Sequence, residues 1–191
     1  YGRTHIFQKY RRIEMKNYII GLALLLFVTP VFGQQTSEEA ALKAAFIIDL
    51  LGQVEWPADT VANQITVISV VGQSPLTGEL QKLAQQKTAA GRKIEVHVVS
   101  AKDNFIRSKI VVIATQDLTE LAAVLKALKG LPALTVSDGD GFAGFGVMVD
   151  FLKKAPDDKS KLSFAVNKMV LKEAGLKISE NLIKQAKKTY G

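Results

Sequence analysis

Four apolar, β-branched runs constrain this chain more than any other feature. They are "QITVISVVG" (64–72), "RKIEVHVVS" (92–100), "SKIVVIAT" (108–115) and "ALTVSD" (133–138). The first is a continuous β-branched run that fits a strand buried on both faces, as in a parallel sheet covered by helices, and the other three read as further strands. The stretches "LTGELQKLAQQ" (76–86) and "LTELAAVLKALKG" (118–130) carry helical spacing, and Gly130 closes the second. Strands separated by helical crossovers imply an α/β, three-layer sandwich with a mostly parallel central sheet and helices on both faces.

Beyond Gly146 the pattern changes. "GVMVDFLKK" (146–154) and "KLSFAVN" (161–167) are joined by a polar turn too short for a helix, which predicts a C-terminal antiparallel edge hairpin. The end of the chain, 168–188, reads as two helical pieces around Gly175, with Leu176, Ile178, Leu182 and Ile183 as docking residues. Ahead of the sheet, 36–57 reads as a helix. Thr36 and Glu39 have capping-box spacing, Leu42, Phe46, Leu50 and Val54 share a face, and Pro57 terminates it.

The N-terminus reads as processed sequence. Met15 and Lys16 precede an apolar run of about ten residues and a small-residue exit, which is the layout of a secretory signal peptide over 15–33 cut near Gly33. That run is shorter than the roughly 20 residues a spanning helix requires, so no stable membrane anchor is expected. Residues 1–14 precede the methionine and read as upstream translated sequence, leaving 34–191 as a single exported, periplasmic domain. Removing the leader takes away five basic residues and one acidic one, and the formal charge falls from +7 to +3. The remaining basic excess lies after residue 152, on a surface that suits solvent, an acidic partner or anionic lipid heads.

Cysteine is absent, which excludes disulfide staples, thiol redox sensing and attachment through a lipidated N-terminal cysteine. His97 is the one histidine beyond the leader, and its place inside a strand suits a satisfied structural histidine better than a general base. With so few nitrogen and sulfur ligands no metal or other cofactor is expected. Nucleic acid is excluded as a partner by export and by the lack of a basic stripe interleaved with aromatics.

The loop "SDGDGFAGFG" (137–146) is the main candidate site. It lacks the Lys-Ser/Thr ending of a P-loop and leads into a strand, whereas a phosphate cradle leads into a helix. Its glycines suit positive φ and close approach at a strand end. Ser137, Asp138, Phe142 and Phe145 are candidate partner-contact residues, because open α/β sheets place binding sites at strand C-termini. Trp56, the only tryptophan, is either core or an interface anchor. Asp138 and Asp140 as an acid–base pair, or Ser137 as a nucleophile, lack a partner histidine or lysine at a recognisable spacing, so no catalytic residue is assigned.

Four stretches, "LKAAFIIDLLGQVEWP", "GRKIEV", "LTVSDGDGFAGFGVMVDF" and "LSFAVNKMVLKEAGLKISENLIKQAKK", together resemble the YfiR-like family of exported bacterial proteins over 42–188. The resemblance implies a periplasmic α/β protein without catalytic residues that holds an inner-membrane diguanylate cyclase inactive by binding its periplasmic domain. Such a protein represses cyclic-di-GMP signalling, and with it attachment and biofilm formation. A sensor kinase is the other membrane partner of this kind, and the family offers a precedent for a homodimer, which apolar positions on the terminal helices would allow. The chain departs from the family in lacking the repressor's cysteines, in Val147 where Gly is frequent, and in Asp150 where Asn is frequent. A reading from another class remains open: a small-ligand receptor or envelope hydrolase with Ser137 and Asp138 at the rim of a pocket.

Overall fold

The computed structural model describes residues 32–57, 65–154, 158 and 161–191. Residues 1–14, and the expected leader over 15–33 apart from the backbone of its last two residues, lie outside them. The chain divides into two compact units, 1–35 and 36–191, and the architecture below is that of the second.

Helix α1 (Phe32–Gln53) leads into β1 (Val54–Glu55). Then follow β2 (Ile65–Gly72), α2 (Pro75–Gln86), β3 (Thr88–Ala89), β4 (Arg92–Val99), β5 (Ser108–Ala114), α3 (Leu118–Ala127) and β6 (Leu134–Ser137). A short 3-10 turn (Phe142–Phe145), β7 (Val149–Phe151), β8 (Phe164–Asn167), α4 (Lys168–Glu173), β9 (Lys177–Ile178), α5 (Glu180–Gln185) and β10 (Lys188–Tyr190) complete the order. Eight strands form one sheet in the order β10-β8-β7-β6-β5-β2-β4-β3. From β4 through β7 neighbouring strands run parallel, β7 and β8 pair antiparallel, and β1 pairs with β9 in a separate ribbon.

The mostly parallel sheet with helices on both faces is as the sequence predicts. The β7–β8 hairpin lies near one edge, and the last residues of the chain add a parallel strand outside it through Lys188↔Ala165 and Thr189↔Val166. On the first face Ile68, Val70, Ile110, Val112, Leu134 and Val136 pack with α1, α2, α4 and α5. On the second face Val71, Val111 and Ile113 pack with α3 and with two connections that contain no α-helix. One is the eight-residue strap 100–107 between β4 and β5, anchored by Ala101 and Phe105. The other is the glycine loop, which returns the chain from β6 to its parallel neighbour β7. Crossovers between parallel strands ordinarily use a dozen or more residues and a helix.

Helix α1 differs from its expected form at both ends. It begins at Phe32, so Thr36 lies inside the helix and is not its cap, and it stops at Gln53, four residues before Pro57. Val54 is drawn out of the helix by pairing with Ile178. Leu42 is 38 % exposed, while Ala40, Ala44, Ile47, Ile48 and Leu50 are buried. Two alanines on that stripe let the helix approach the sheet closely, and Phe46 packs on Phe151 and Phe164 with ring centroids 5.6 and 4.7 Å apart. Of the C-terminal docking residues, Leu176 and Leu182 are buried and Ile178 packs against the same cluster, whereas Ile183 is only half-buried, and Lys177–Ile178 form β9 between the two helical pieces.

Ile47→Ala should therefore lower unfolding free energy by about 2–5 kcal/mol, through lost transfer energy plus a cavity. Leu42→Ala should stay within about 0.5 kcal/mol of the unchanged protein. Urea titration followed by circular dichroism distinguishes the two.

Candidate functional site

At the C-terminal end of β6 two consecutive residues face different surroundings. Ser137 is fully buried, and its hydroxyl donates to a carboxylate oxygen of Asp150 on β7. Asp138 is partly exposed; it accepts from the Lys43 ammonium of α1 at 2.8 Å and from the Ser74 hydroxyl at 2.7 Å. Ser74 is also the N-cap of α2, where its oxygen accepts from the Leu76 N–H at 3.2 Å. Asp138 thus joins α1, the start of α2 and the end of β6. Glu39 pairs with the same ammonium at 2.7 Å. Burial pulls the pKa of Lys43 down, but hydrogen bonds and charge from Asp138 and Glu39 outweigh it and hold the ammonium above its usual value.

The glycine loop is held from beneath by side chains of β7 and β8. The Ala143 N–H donates to Asp150 at 3.1 Å, and the Ala143 carbonyl accepts from the Asn167 amide at 2.9 Å. Asn167 also caps α4, accepting from the Val170 N–H at 3.1 Å, and its own N–H donates to the Met148 carbonyl at 2.8 Å. Thr135 on β6 accepts from the Met148 N–H at 2.9 Å. With Ser137 and the Gly141 N–H also donating, the Asp150 carboxylate is well supplied with partners. Burial still dominates and raises its pKa, with Asp140 adding a smaller repulsion.

Gly141 and Gly146 bracket the 3-10 turn at φ 92° and 109°, a region that side chains rarely adopt. Gly139 fills a different need, since a Cβ there would come within 2.9 Å of the Phe142 ring. The turn separates the two phenylalanines. Phe142 is buried in the cluster under α3, and Phe145 is 63 % exposed with its ring edge-on to Phe142 at 6.4 Å. Phe145 borders an open groove of about 480 Å³ lined by Leu125, Leu131, Met148, Val170 and Ala174.

Of the five residues singled out in the sequence, Ser137, Asp138, Phe142 and Phe145 gather at this loop. Only Asp138 and Phe145 among them reach the surface. Trp56 is half-buried against the first-face cluster, away from the glycine loop in the contacts it makes, with Lys109 5.5 Å above its ring. Its indole N–H has no partner among the described residues. His97 is exposed on β4, 3.2 Å from Glu95. Among the described residues no three His, Cys, Asp or Glu side chains gather closely enough to hold a metal ion.

The sequence reading missed Asp150 and Asn167 as organisers of the loop. Their signal is visible afterwards: each is a lone polar residue at an apolar strand position, where burial demands a partner.

With a raised folded-state pKa, Asp150 contributes stability that is complete below the ordinary carboxylate range. That contribution is lost as pH rises through its folded value. Asp150→Asn keeps an acceptor for Ala143 and cannot ionise. Its unfolding free energy relative to the unchanged protein should rise with pH from the carboxylate range and then level off. A flat difference from pH 3 to 8 in denaturant titrations would contradict the buried-charge account.

No curated protein is a significant match to this sequence. Two solved structures resemble the fold. A conserved domain protein from Vibrio cholerae O1 biovar El Tor is 13 % identical, with 78 % of this chain and 60 % of that one covered and a TM-score of 0.47. The ABC domain from Streptococcus pneumoniae, solved in complex with L-Trp, is 15 % identical, with 79 % and 60 % covered and a TM-score of 0.52. The chain spans about 60 % of the length of these structures, and at such identity the second likeness concerns the fold alone. Among the described residues no helix is long and apolar enough to cross a membrane. A family model described as YfiR/HmsC-like matches residues 40–187, which takes in the α1 stripe, the sheet up to its last strand β10, the glycine loop with its Asp150–Asn167 support and the C-terminal helices, and the chain belongs to that family.

Proposed function

We propose that this protein is an exported regulatory subunit. It docks on the outer domain of an inner-membrane signalling enzyme, a diguanylate cyclase in the first instance and a sensor kinase in the second, and represses it. The cyclase chemistry then belongs to the partner, and this chain controls cyclic-di-GMP output, attachment and biofilm formation from the periplasm. Family membership supports the reading, as does the leader-like sequence over 15–33.

The observation that carries it is Phe145. A large aromatic ring is displayed at the rim of an apolar groove by a loop whose centre is hydrogen-bonded on both sides. An exposed aromatic on a fixed support suits a protein interface, because little conformational freedom remains to be lost on binding. The hydrolase alternative loses its nucleophile: Ser137 has no exposed surface, and its hydroxyl is engaged by Asp150, a carboxylate buried with it out of reach of a substrate.

Affinity capture from crosslinked envelopes, with mass spectrometry of what is retained, should recover a membrane cyclase or kinase that has a periplasmic domain. Phe145→Ala should fold normally and lose about 2 kcal/mol or more of binding, as truncated interface anchors do. Phe142→Ala should instead lower thermal stability, by roughly 3–5 kcal/mol for a buried phenylalanine. Undiminished capture by the Phe145 variant, or an enzyme-free retained fraction in captures that hold a control complex, would overturn the reading.

A further inference from the structure

The strap 100–107 links β4 to β5 across the intervening β2, and an open cleft of about 440 Å³ lies beside it. That volume is within the range of small-molecule sites. Both ends of the strap are tied down: the Ser100 N–H donates to Asp103 at 2.7 Å, and the Ser108 N–H donates to the Phe105 carbonyl at 2.8 Å. The floor of the cleft is shaped by a bulge. Val67 pairs with Ser108 but Ile68 pairs with Ile110, so Lys109 is an extra residue in β5. Ser108 thereby meets Ser69, hydroxyl to hydroxyl at 2.7 Å, and both are buried. Two small side chains here leave a depression in a face that Val71, Val111 and Ile113 fill elsewhere.

Two chemical characters meet in this cleft. Ile65 and Ile106 are 43 % and 69 % exposed, and both border it, with Val67 and Val99 continuing the apolar lining. Single exposed apolar residues are ordinary, but two flanking one depression mark a surface suited to cover. Arg107 lines the same cleft, and no carboxylate among the described residues pairs with its guanidinium. Asn104 accepts the Ile106 N–H on its side-chain carbonyl at 2.9 Å, which leaves its amide as a donor. Glu95, the carboxylate of the lining, is engaged already. It accepts from Lys93 at 3.0 Å and lies 3.2 Å from His97, and the Lys93 bond holds its pKa below the usual range. Glu95 and Lys93 cancel, so Arg107 sets the sign of the cleft.

We propose that this cleft binds a small monocarboxylic acid with an apolar chain or ring. The carboxylate meets the Arg107 guanidinium and the Asn104 amide, and the apolar body lies over Val67 and Val99 between Ile65 and Ile106. A guanidinium presents planar, parallel donors that match the two oxygens of a carboxylate. The lining comes from strands and the strap, without the helix N-terminus at which phosphate groups are commonly held. Covering Ile65 and Ile106 supplies the apolar share of the affinity, which an inorganic anion would forgo.

The place of the cleft sets it apart from the glycine loop. It lies over the first half of β2 and the start of β5, whereas Ser137 and Asp138 stand at the C-terminal end of β6. The inference therefore rests on neither the Phe145 surface nor the docking of a membrane partner.

Amide NMR titration with butyrate, octanoate, decanoate and 3-phenylpropionate tests it, with 3-phenylpropanamide and inorganic phosphate as comparisons. At least one of the acids should bind saturably with Kd below about 1 mM and shift the amides of residues 97–99 and 104–108. Arg107→Gln should weaken that acid about tenfold or more, since hydrogen bonds to a charged group are lost, and leave the circular dichroism spectrum unaltered. Ile106→Ser should weaken the longer acids more than butyrate. Lys102→Gln, a charge change on the same strap outside the lining, should bind as the unchanged protein does. Binding by none of the acids, equal binding of the amide, or full affinity in the Arg107 variant overturns the proposal. Phosphate binding as tightly as the best acid also overturns it, because the apolar lining then contributes nothing.

Discussion

The crossover from β6 to β7 depends on a buried carboxylate. Two adjacent parallel strands are joined by residues 138–148 with only one 3-10 turn between them, so the connection cannot satisfy its own backbone as a helix would. Asp150 accepts the Ala143 N–H and Asn167 donates to the Ala143 carbonyl, and the middle of the crossing is thereby fixed to β7 and β8. Once Ala143 is fixed, Phe142 and Val147 point into the second-face core and Phe145 is left outside. The cost is desolvation of Asp150, visible in its raised pKa. An apolar side chain at 150 would leave two buried donors unsatisfied, which is worse than a partly compensated charge.

The same economy of covering explains the unequal faces of the sheet. Four helices lie on the first face, whereas the second has α3, the 100–107 strap and the glycine loop. The strap anchors itself through Phe105 but carries no helix across β2 and β4. Val67, Ser69, Glu95, His97 and Val99 therefore line an open cleft with Asn104 and Arg107 of the strap. A strand whose face is open in this way can hold Glu95 and His97 among its apolar residues, because both side chains reach solvent.

The strand content was legible because β2 and β5 are mostly apolar and β-branched, a composition that few helices share, and β4 alternates Ile94, Val96 and Val98 with polar residues. Caps were less legible. Ser74, Asp117, Asn167 and Ser179 each begin a helix, but Thr36, with equally suitable spacing, does not, because α1 continues upstream of it. Strands β1, β3, β9 and β10 have two or three residues and no periodicity, so pairing elsewhere in the fold defines them. The site was half legible: glycine spacing located the loop, while the burial of Phe142 and the exposure of Phe145 follow from a 3-10 turn that local sequence does not announce. Ser137 could have been placed inside from its own run, since β6 is buried along its whole length.

Ser137 and Asp138 show how the second-face connection is tied to the first-face helices. Successive residues at a strand end point to opposite sides, and here one side chain reaches Asp150 beneath the loop while the next reaches Lys43 on α1. Lys43 in turn lies 5.5 Å from the Phe151 ring, beside the residue pair that packs α1 on β7 and β8. Displacing the loop by more than a hydrogen-bond length would have to break the Ala143 bonds, and moving β6 would disturb the ion pair that holds α1. The aromatic displayed at Phe145 is therefore carried by a connection with ties to β6, β7 and β8, and through Asp138 to both α1 and α2, which gives a loop at the surface the positional definition of a core element.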